Sequence, residues 1–352
     1  MNTCQKYLPD TQPMSPTMSP DHSSNPPSLI DSFGRNISYL RLSVTDKCNL
    51  RCFYCMPKGF KDFEEPENWL TFDEIHRVIK AFSELGVARI RLTGGEPLVR
   101  KNLPQLIDRL NQLPGVEDLS LSSNASLLSR YSQPLYDAGV DRLNISLDTL
   151  NKEKFKDITG GGSLKDVLDG LQAAKAAGFK PIKINMVAMK GINDDEISDM
   201  VRFCKQHDFI LRLIETMPMG STGQEASEHY LDLNPVRQQL QEEFDLIDSV
   251  VDGGGPARYM KFRDSDFHIG FITPISQHFC ETCNRVRLSV DGTLYMCLGQ
   301  DHSFELRPLL RKGITDDELK LVIKQAVDMK PERHFFTEDT EQPLRFMSMT
   351  GG

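Results

Sequence analysis

Six of the eight cysteines in this 352-residue chain fall into two tight triads. Cys48, Cys52 and Cys55 are spaced C-x3-C-x2-C, and Cys280, Cys283 and Cys297 are spaced C-x2-C-x13-C. A chain of this length has ample material for an apolar core and needs no covalent staples. Disulfide frameworks belong to short secreted chains, and the N-terminus lacks a basic stretch followed by an apolar run. The clustered thiols therefore read as metal ligands in a reducing compartment, the cytoplasm. Cys4 and Cys204 stand outside both triads and read as structural or incidental.

Three cysteines within eight residues can wrap one face of a metal cluster. A [4Fe–4S] cluster takes four ligands, so three thiolates leave one iron open to a small molecule. The alternative is zinc, which requires a fourth protein ligand for a closed tetrahedral site. His22 and His76 are poorly placed to supply it at the first triad. At the second, His278 and His302 keep the zinc reading open.

Residues 1–36 hold six Pro and five Ser within the first 30 positions, with few large apolar side chains. Such a composition cannot offset its ordering entropy and predicts a disordered tail. From residue 37 to about 225 a strand–loop–helix rhythm repeats. The strand candidates are Tyr39–Thr45, Ala88–Thr93, Asp118–Ser122, Arg142–Asp148, Ile182–Ala188 and Ile210–Met217. Helical periodicity marks Thr71–Leu85 and Leu164–Ala177, with Gly86 and Gly178 where C-terminal caps belong. Six such units predict an α/β fold, an incomplete (β/α)6 TIM-type barrel, with a doubly wound sheet as the alternative. Residues 226–330 read as a separate C-terminal α+β unit carrying the second triad, and 331–352 as a tail ending Gly351-Gly352. In the stretch between, Gly220–His229 reads as a polar loop. In the C-terminal unit, Phe267–Thr273 and Arg285–Val290 read as strands. Asp291-Gly292 opens a hairpin to Thr293–Cys297, and helices follow at Phe304–Leu310 and Thr315–Lys330.

The net charge of -9 argues against a nucleic-acid polymer as partner, and no apolar run is long enough to span a membrane. Five cations nevertheless sit where strands should bury them. Arg41 and Arg91 lie between leucines or isoleucine, Lys183 between isoleucines, and Arg285 and Arg287 flank Val286 on one strand face. A cation buried in a strand needs a counter-charge or a bound anion, and Arg grips phosphate oxygens in bidentate fashion.

The first triad, with Tyr54 just before its last cysteine, resembles the radical S-adenosylmethionine signature. Thr93-Gly94-Gly95-Glu96-Pro97 at the end of the second strand resembles the segment of that superfamily that holds the methionyl amino group. Adding the second triad, the Arg285-Val286-Arg287 run and the terminal Gly-Gly, residues 38–352 resemble the GTP 3′,8-cyclase family of molybdenum-cofactor biosynthesis. One departure is Ser122-Ser123-Asn124-Ala125, where the family pattern is Thr-Thr-Asn-Gly. Ala resists positive φ, which puts that loop's backbone in question.

The resemblance implies a radical lyase that cyclises GTP to (8S)-3′,8-cyclo-7,8-dihydroguanosine 5′-triphosphate, with two [4Fe–4S] clusters and S-adenosylmethionine as cofactors. It implies that the six triad cysteines hold iron. Tyr54, Gly95, Glu96, Ser146 and Met217 contact S-adenosylmethionine. Arg41, Arg91, Ser122, Lys183, Arg285, Val286 and Arg287 contact GTP. Arg41 stands near the new bond, and Gly351 and Gly352 reach into the active site. It further implies an external electron donor and handover of product to the next pathway enzyme, and it leaves a homodimer open. Two rivals remain on the sequence: a peptide-maturing radical S-adenosylmethionine enzyme, and a non-catalytic scaffold with two zinc sites.

Overall fold

The computed structural model describes residues 28–251, 254–336 and 345–350. Cys4, Gly351 and Gly352 therefore lie outside the described residues. Six parallel strands run in sequence order: β1 (Tyr39–Ser43), β2 (Arg89–Thr93), β3 (Asp118–Ser123), β4 (Arg142–Ser146), β5 (Ile182–Val187) and β6 (Ile210–Ile214). The helices that cover them include α1 (Phe72–Glu84), α2 (Leu103–Asn111), α3 (Leu128–Asp137), α4 (Lys152–Ile158), α5 (Leu164–Ala177) and α6 (Ile197–His207). Strand alternation sorts the side chains. Leu40, Leu42, Ile90 and Leu92 are fully buried among the helices, while Arg41 and Arg91 face the other way, toward the hollow of the sheet.

Local signals explain the helix ends. Thr71 and Glu74 form a reciprocal capping box at the start of α1. Gly178 closes α5 at φ 101°, as its place in the sequence foretold.

The C-terminal strands join the same sheet. β9 (His268–Ile272) pairs in parallel with β6, and β10 (Arg285–Leu288) pairs in parallel with β1. Antiparallel strands extend both edges. β7 (Leu246–Ser249) and β8 (Arg258–Phe262) lie beyond β9, while β11 (Thr293–Tyr295) and β12 (Ser303–Glu305) lie beyond β10. Parallel pairing joins strands distant in sequence, so no local pattern announces it. The segment from β9 to β10 must pass from one side of the sheet to the other, and it carries Cys280 and Cys283 with it.

Other expectations shift. Gly220–His229 is not a loop: α7 (Gly220–Ser227) forms there, and a Cβ on Gly223 would meet the Met217 carbonyl at 2.6 Å. Close backbone packing overrides the weak helix propensity of Gly-Ser-Thr-Gly. Helix α8 (Leu233–Phe244) follows, and Phe304 lies in β12, ahead of α9 (Arg307–Arg311) and α10 (Asp316–Asp328). The last described element is α11 (Met347–Thr350). Residues 28–36 are packed rather than disordered, with Leu29, Asp31 and Arg35 buried. Among the described residues, no helix is long and apolar enough to cross a membrane.

Candidate active site

The hollow of the sheet holds two adjoining cavities, one at the C-terminal ends of the parallel strands and one deeper along them, that share Asn185, Ile214, Met217 and Met347 as a common wall. The first, about 190 Å³, is lined by Cys48, Cys52 and Cys55 with Tyr54, Gly95, Ser122, Ser146 and Met217. Met217 follows β6 rather than closing it, since that strand ends at Ile214. Two backbones meet closely here. A Cβ on Gly94 would lie 2.2 Å from the Thr45 carbonyl oxygen, and one on Gly95 2.4 Å from that of Lys47. Only glycine permits this contact between the loops after β1 and β2.

The donor set fits an iron–sulfur cluster. All three thiols are free, and Cys48 Sγ accepts from Leu50 N at 3.4 Å and Asn124 Nδ2 at 3.8 Å. Burial pushes the Cys55 thiol up to about 12, with Cys48 adding to the rise, and burial and Cys55 likewise hold Cys52 well above the usual thiol range. Thiols crowded in this way become good ligands once a cation replaces their protons.

Glu96 is not a lining residue. Its carboxylate is fully buried and accepts from Leu98 N, Asn124 N and Ser123 Oγ at 3.1, 2.7 and 2.9 Å. Burial pushes it up to about 7 despite those bonds. It ties β3 to the glycine turn, and Gly95 lines the cavity beside it. Ala125 accepts the left-handed conformation that the family's glycine would take, at φ 63°. Its amide donates to Ser123 Oγ at 3.0 Å, so the loop keeps its shape.

The second cavity, about 170 Å³, contains Cys280, Cys283 and Cys297 together with Arg41, Arg91, Arg212, Arg285, Arg287 and Lys330. No carboxylate lines it among the described residues. Strand register assembles the cations. Arg287, Arg41 and Arg91 are directly paired across β10, β1 and β2. Burial, then the charges of Arg287 and Arg91, hold the Arg41 guanidinium well below its ordinary value, and its Nε has no hydrogen-bond partner. At Cys283, burial pushes the thiol up, but Lys330 and Arg285 outweigh it and bring it to about 7. Free thiols ringed by cations suit thiolate ligands of a cluster.

A narrow extension holds Lys183 beside Arg89, Arg142 and Arg212, with Asp118 the one carboxylate among its lining residues. Val286 turns its side chain into the apolar core, opposite Arg285 and Arg287. Ser122 stands with the first triad rather than with the cations, its hydroxyl without a partner. His278 and His334 group with Cys280, their ligand atoms within 4.8 Å of one another, and His302 is not part of that group.

Comparison with known proteins accounts for both halves. The Radical SAM superfamily profile matches residues 42–204, and the Molybdenum Cofactor Synthesis C profile matches residues 209–336. A GTP 3′,8-cyclase of Pseudomonas entomophila strain L48 is 47% identical over 93% of this chain and 99% of the relative. One from Rhizobium meliloti strain 1021 is 44% identical over the whole of both chains. The chain belongs to the GTP 3′,8-cyclase family. Its fold is that of Streptococcus suis SuiB bound to S-adenosylmethionine, at a TM-score of 0.58 and 14% identity over 85% of this chain and 73% of the other. Members of the family carry two [4Fe–4S] clusters and use S-adenosylmethionine.

The geometry adds residues that the sequence reading missed. Arg212, nearly fully buried on β6, donates to Asn185 Oδ1 at 2.8 Å and Asn144 Oδ1 at 2.5 Å. Its Leu211-Arg212-Leu213 setting repeats that of Arg41, so the signal was there. Lys330 donates to the carbonyls of Arg285 and Met296 at 2.9 and 2.7 Å. It reads as an ordinary solvated cation after a helix, and nothing local marks it. Asp148 accepts the Tyr54 hydroxyl at 2.6 Å and the Val187 amide at 2.9 Å, and burial pushes it up to about 6. The C-terminal segment closes the mouth. Met347 lines both cavities, and the Thr350 carbonyl accepts from Arg287 Nη1 at 3.3 Å.

Proposed function

We propose that this chain cyclises GTP to (8S)-3′,8-cyclo-7,8-dihydroguanosine 5′-triphosphate, an early step of molybdenum-cofactor biosynthesis. The observation that carries the reading is the pairing of a thiol-lined cavity with a second one, lined by three more cysteines and a ring of cations, through a shared wall. When bound, the first cluster and S-adenosylmethionine supply radical chemistry able to remove a hydrogen atom from a ribose carbon.

The chain's own part is placement. Cys48, Cys52 and Cys55 hold one cluster and Cys280, Cys283 and Cys297 the other, each triad leaving one iron open. Tyr54, Gly95, Ser146 and Met217 seat S-adenosylmethionine. Lys183, Arg91 and Arg212 hold the triphosphate, each charge-assisted bond contributing about 1.5–3 kcal/mol. Arg285 and Arg287 direct the purine toward the second cluster, and Ser122, on the thiol side of the shared wall, holds the ribose between the cofactors. Arg41 faces the middle of the site, where burial and the neighbouring arginines loosen its hold on a proton, and it supplies the proton near the new bond. Met347 and the tail behind it exclude water from the mouth. Gly351 and Gly352 take part in the reaction, and deleting both abolishes cyclisation while leaving both clusters in place. An external donor supplies electrons, the product passes to the next enzyme of the pathway, and the protein works in the cytoplasm, as a homodimer in one arrangement open to it.

Reconstituted protein under anaerobic, reducing conditions with S-adenosylmethionine should consume GTP and release the cyclic product. Arg285→Ala and Cys283→Ser should lose that activity. Two zinc ions per chain in place of iron and sulfide, or turnover of a peptide with GTP untouched, would overturn the reading.

A further inference from the structure

The N-terminal hook that precedes β1 has no part in the chemistry above, yet it is built into the second triad. Asp31 and Arg35 form an ion pair at 2.6 Å with side chains almost wholly shielded from water. Asp31 Oδ1 also accepts from the amides of Phe33 and Arg35 at 3.0 and 2.9 Å, which fixes the turn. The guanidinium then spends its remaining donors on the backbone of two other segments. Arg35 Nη1 donates to the Cys280 carbonyl at 3.0 Å and to Glu332 O at 2.7 Å, and Nη2 donates to Pro331 O at 2.7 Å.

The hook grips the far end of the same loop too. Ser38 N donates to Asn284 O at 3.2 Å, and Asn284 Nδ2 donates to Ser38 Oγ at 3.1 Å. The Cys280–Cys283 loop is thus held at both ends by residues 35 and 38. The third segment leads directly to His334, which stands beside Cys280. Loops that carry metal ligands hold their geometry only when an outer shell fixes their backbone. A planar fork of five donors does this for several carbonyls at once, and a lysine ammonium, a compact point charge, does not.

We propose that Arg35, oriented by Asp31, is the positioning residue of the second cluster: it sets the Cys280 backbone so that the triad receives and keeps its iron. The proposal rests on the radical S-adenosylmethionine reading and goes beyond it, because Arg35 touches neither substrate nor cofactor.

The test compares wild type, Arg35→Lys and Asp31→Asn after anaerobic reconstitution. Wild type should hold about eight irons per chain, and both variants should fall toward about four. The reduced variants should still show the spectral change that S-adenosylmethionine causes at the first cluster, and lose the change that GTP causes at the second. Arg35→Lys keeps the charge, so its failure isolates the fork. Wild-type iron and an unchanged GTP signature in both variants would overturn the proposal. Equal loss of both clusters would also overturn it, by showing a role in general stability. Wild type that takes up no iron would instead sink the cluster reading itself, and the proposal with it.

Discussion

Arg41 and Arg287 stand directly opposite each other on neighbouring parallel strands, in a row that Arg91 continues on the far side of Arg41. Like charges placed directly across a sheet are destabilising by a few tenths to about 1 kcal/mol per pair. Under the proposed function the row is where an anion binds, so function and stability should move in opposite directions here. Arg41→Met keeps most of the apolar stem and removes two such pairs. In the ligand-free protein it should raise the unfolding free energy by about 1 kcal/mol in denaturant titrations. The same variant should bind GTP about tenfold to a hundredfold more weakly, the loss of one charge-assisted contact. A variant that is both less stable and equally tight would contradict this account of the row.

A second relationship joins the cofactor loop to the barrel. The Tyr54 hydroxyl donates to Asp148 at 2.6 Å, and the other carboxylate oxygen of Asp148 accepts the Val187 amide. Asp148→Ala leaves a shielded phenol and a backbone amide without their acceptor, at a cost of about 1–3 kcal/mol each. Asp148→Asn can keep both contacts, because its amide group donates to the phenol oxygen while its carbonyl accepts from Val187. The expected order of melting temperature is wild type, then Asn, then Ala. The KM for S-adenosylmethionine should rise along the same series, from wild type through Asn to Ala.

Much of this architecture was legible before any coordinates, and its limits are physical. The six parallel strands announce themselves because each is short, apolar on the helix side and followed by a helix, some with a cap legible in the sequence, as at Thr71 and Gly178. Both triads and the five inward cations were readable from spacing and from cations set among apolar neighbours. Long-range pairing was not. Nothing near Arg285 says that β10 will lie beside β1 and so extend the same sheet. Nor does the sequence show the surroundings of a buried carboxylate: Glu96, read as a partner for an ammonium group, also takes three local donors. Ala125 shows the converse, since its neighbours impose a backbone that its own preference opposes.

That imposed backbone also explains a glycine inside a helix. Gly170 sits in the middle of α5, where alanine would ordinarily gain about 1 kcal/mol of helix propensity. A Cβ at Gly170 would lie 2.3 Å from the Ala125 carbonyl oxygen, a backbone atom that cannot swing aside. Overpacking of this kind costs about 1–3 kcal/mol, which exceeds the propensity gain. Gly170→Ala should therefore lower the denaturation midpoint despite being the better helix former. It should also weaken S-adenosylmethionine binding, because the displaced loop carries Asn124, whose side chain donates to Cys48 Sγ. A more stable Gly170→Ala protein would show that the two backbones can part freely.

Lys183 supplies the pH dependence. Burial, followed by the charges of Arg212, Arg142 and Arg91, depresses its ammonium to about 7. In the ligand-free protein at pH 8 most Lys183 is then neutral. A triphosphate in the same extension adds negative charge and pulls the value back up, so binding takes up a proton. The sign follows: affinity is greatest below pH 7 and falls as pH rises through the depressed value, by up to tenfold per unit for one proton. Calorimetric titration of GTP at pH 8 in buffers of different ionisation enthalpy should reveal net proton uptake. Lys183→Arg, whose charge persists at every accessible pH, should abolish that uptake and flatten the profile. Proton uptake that survives in Lys183→Arg would move the titrating group elsewhere in the site.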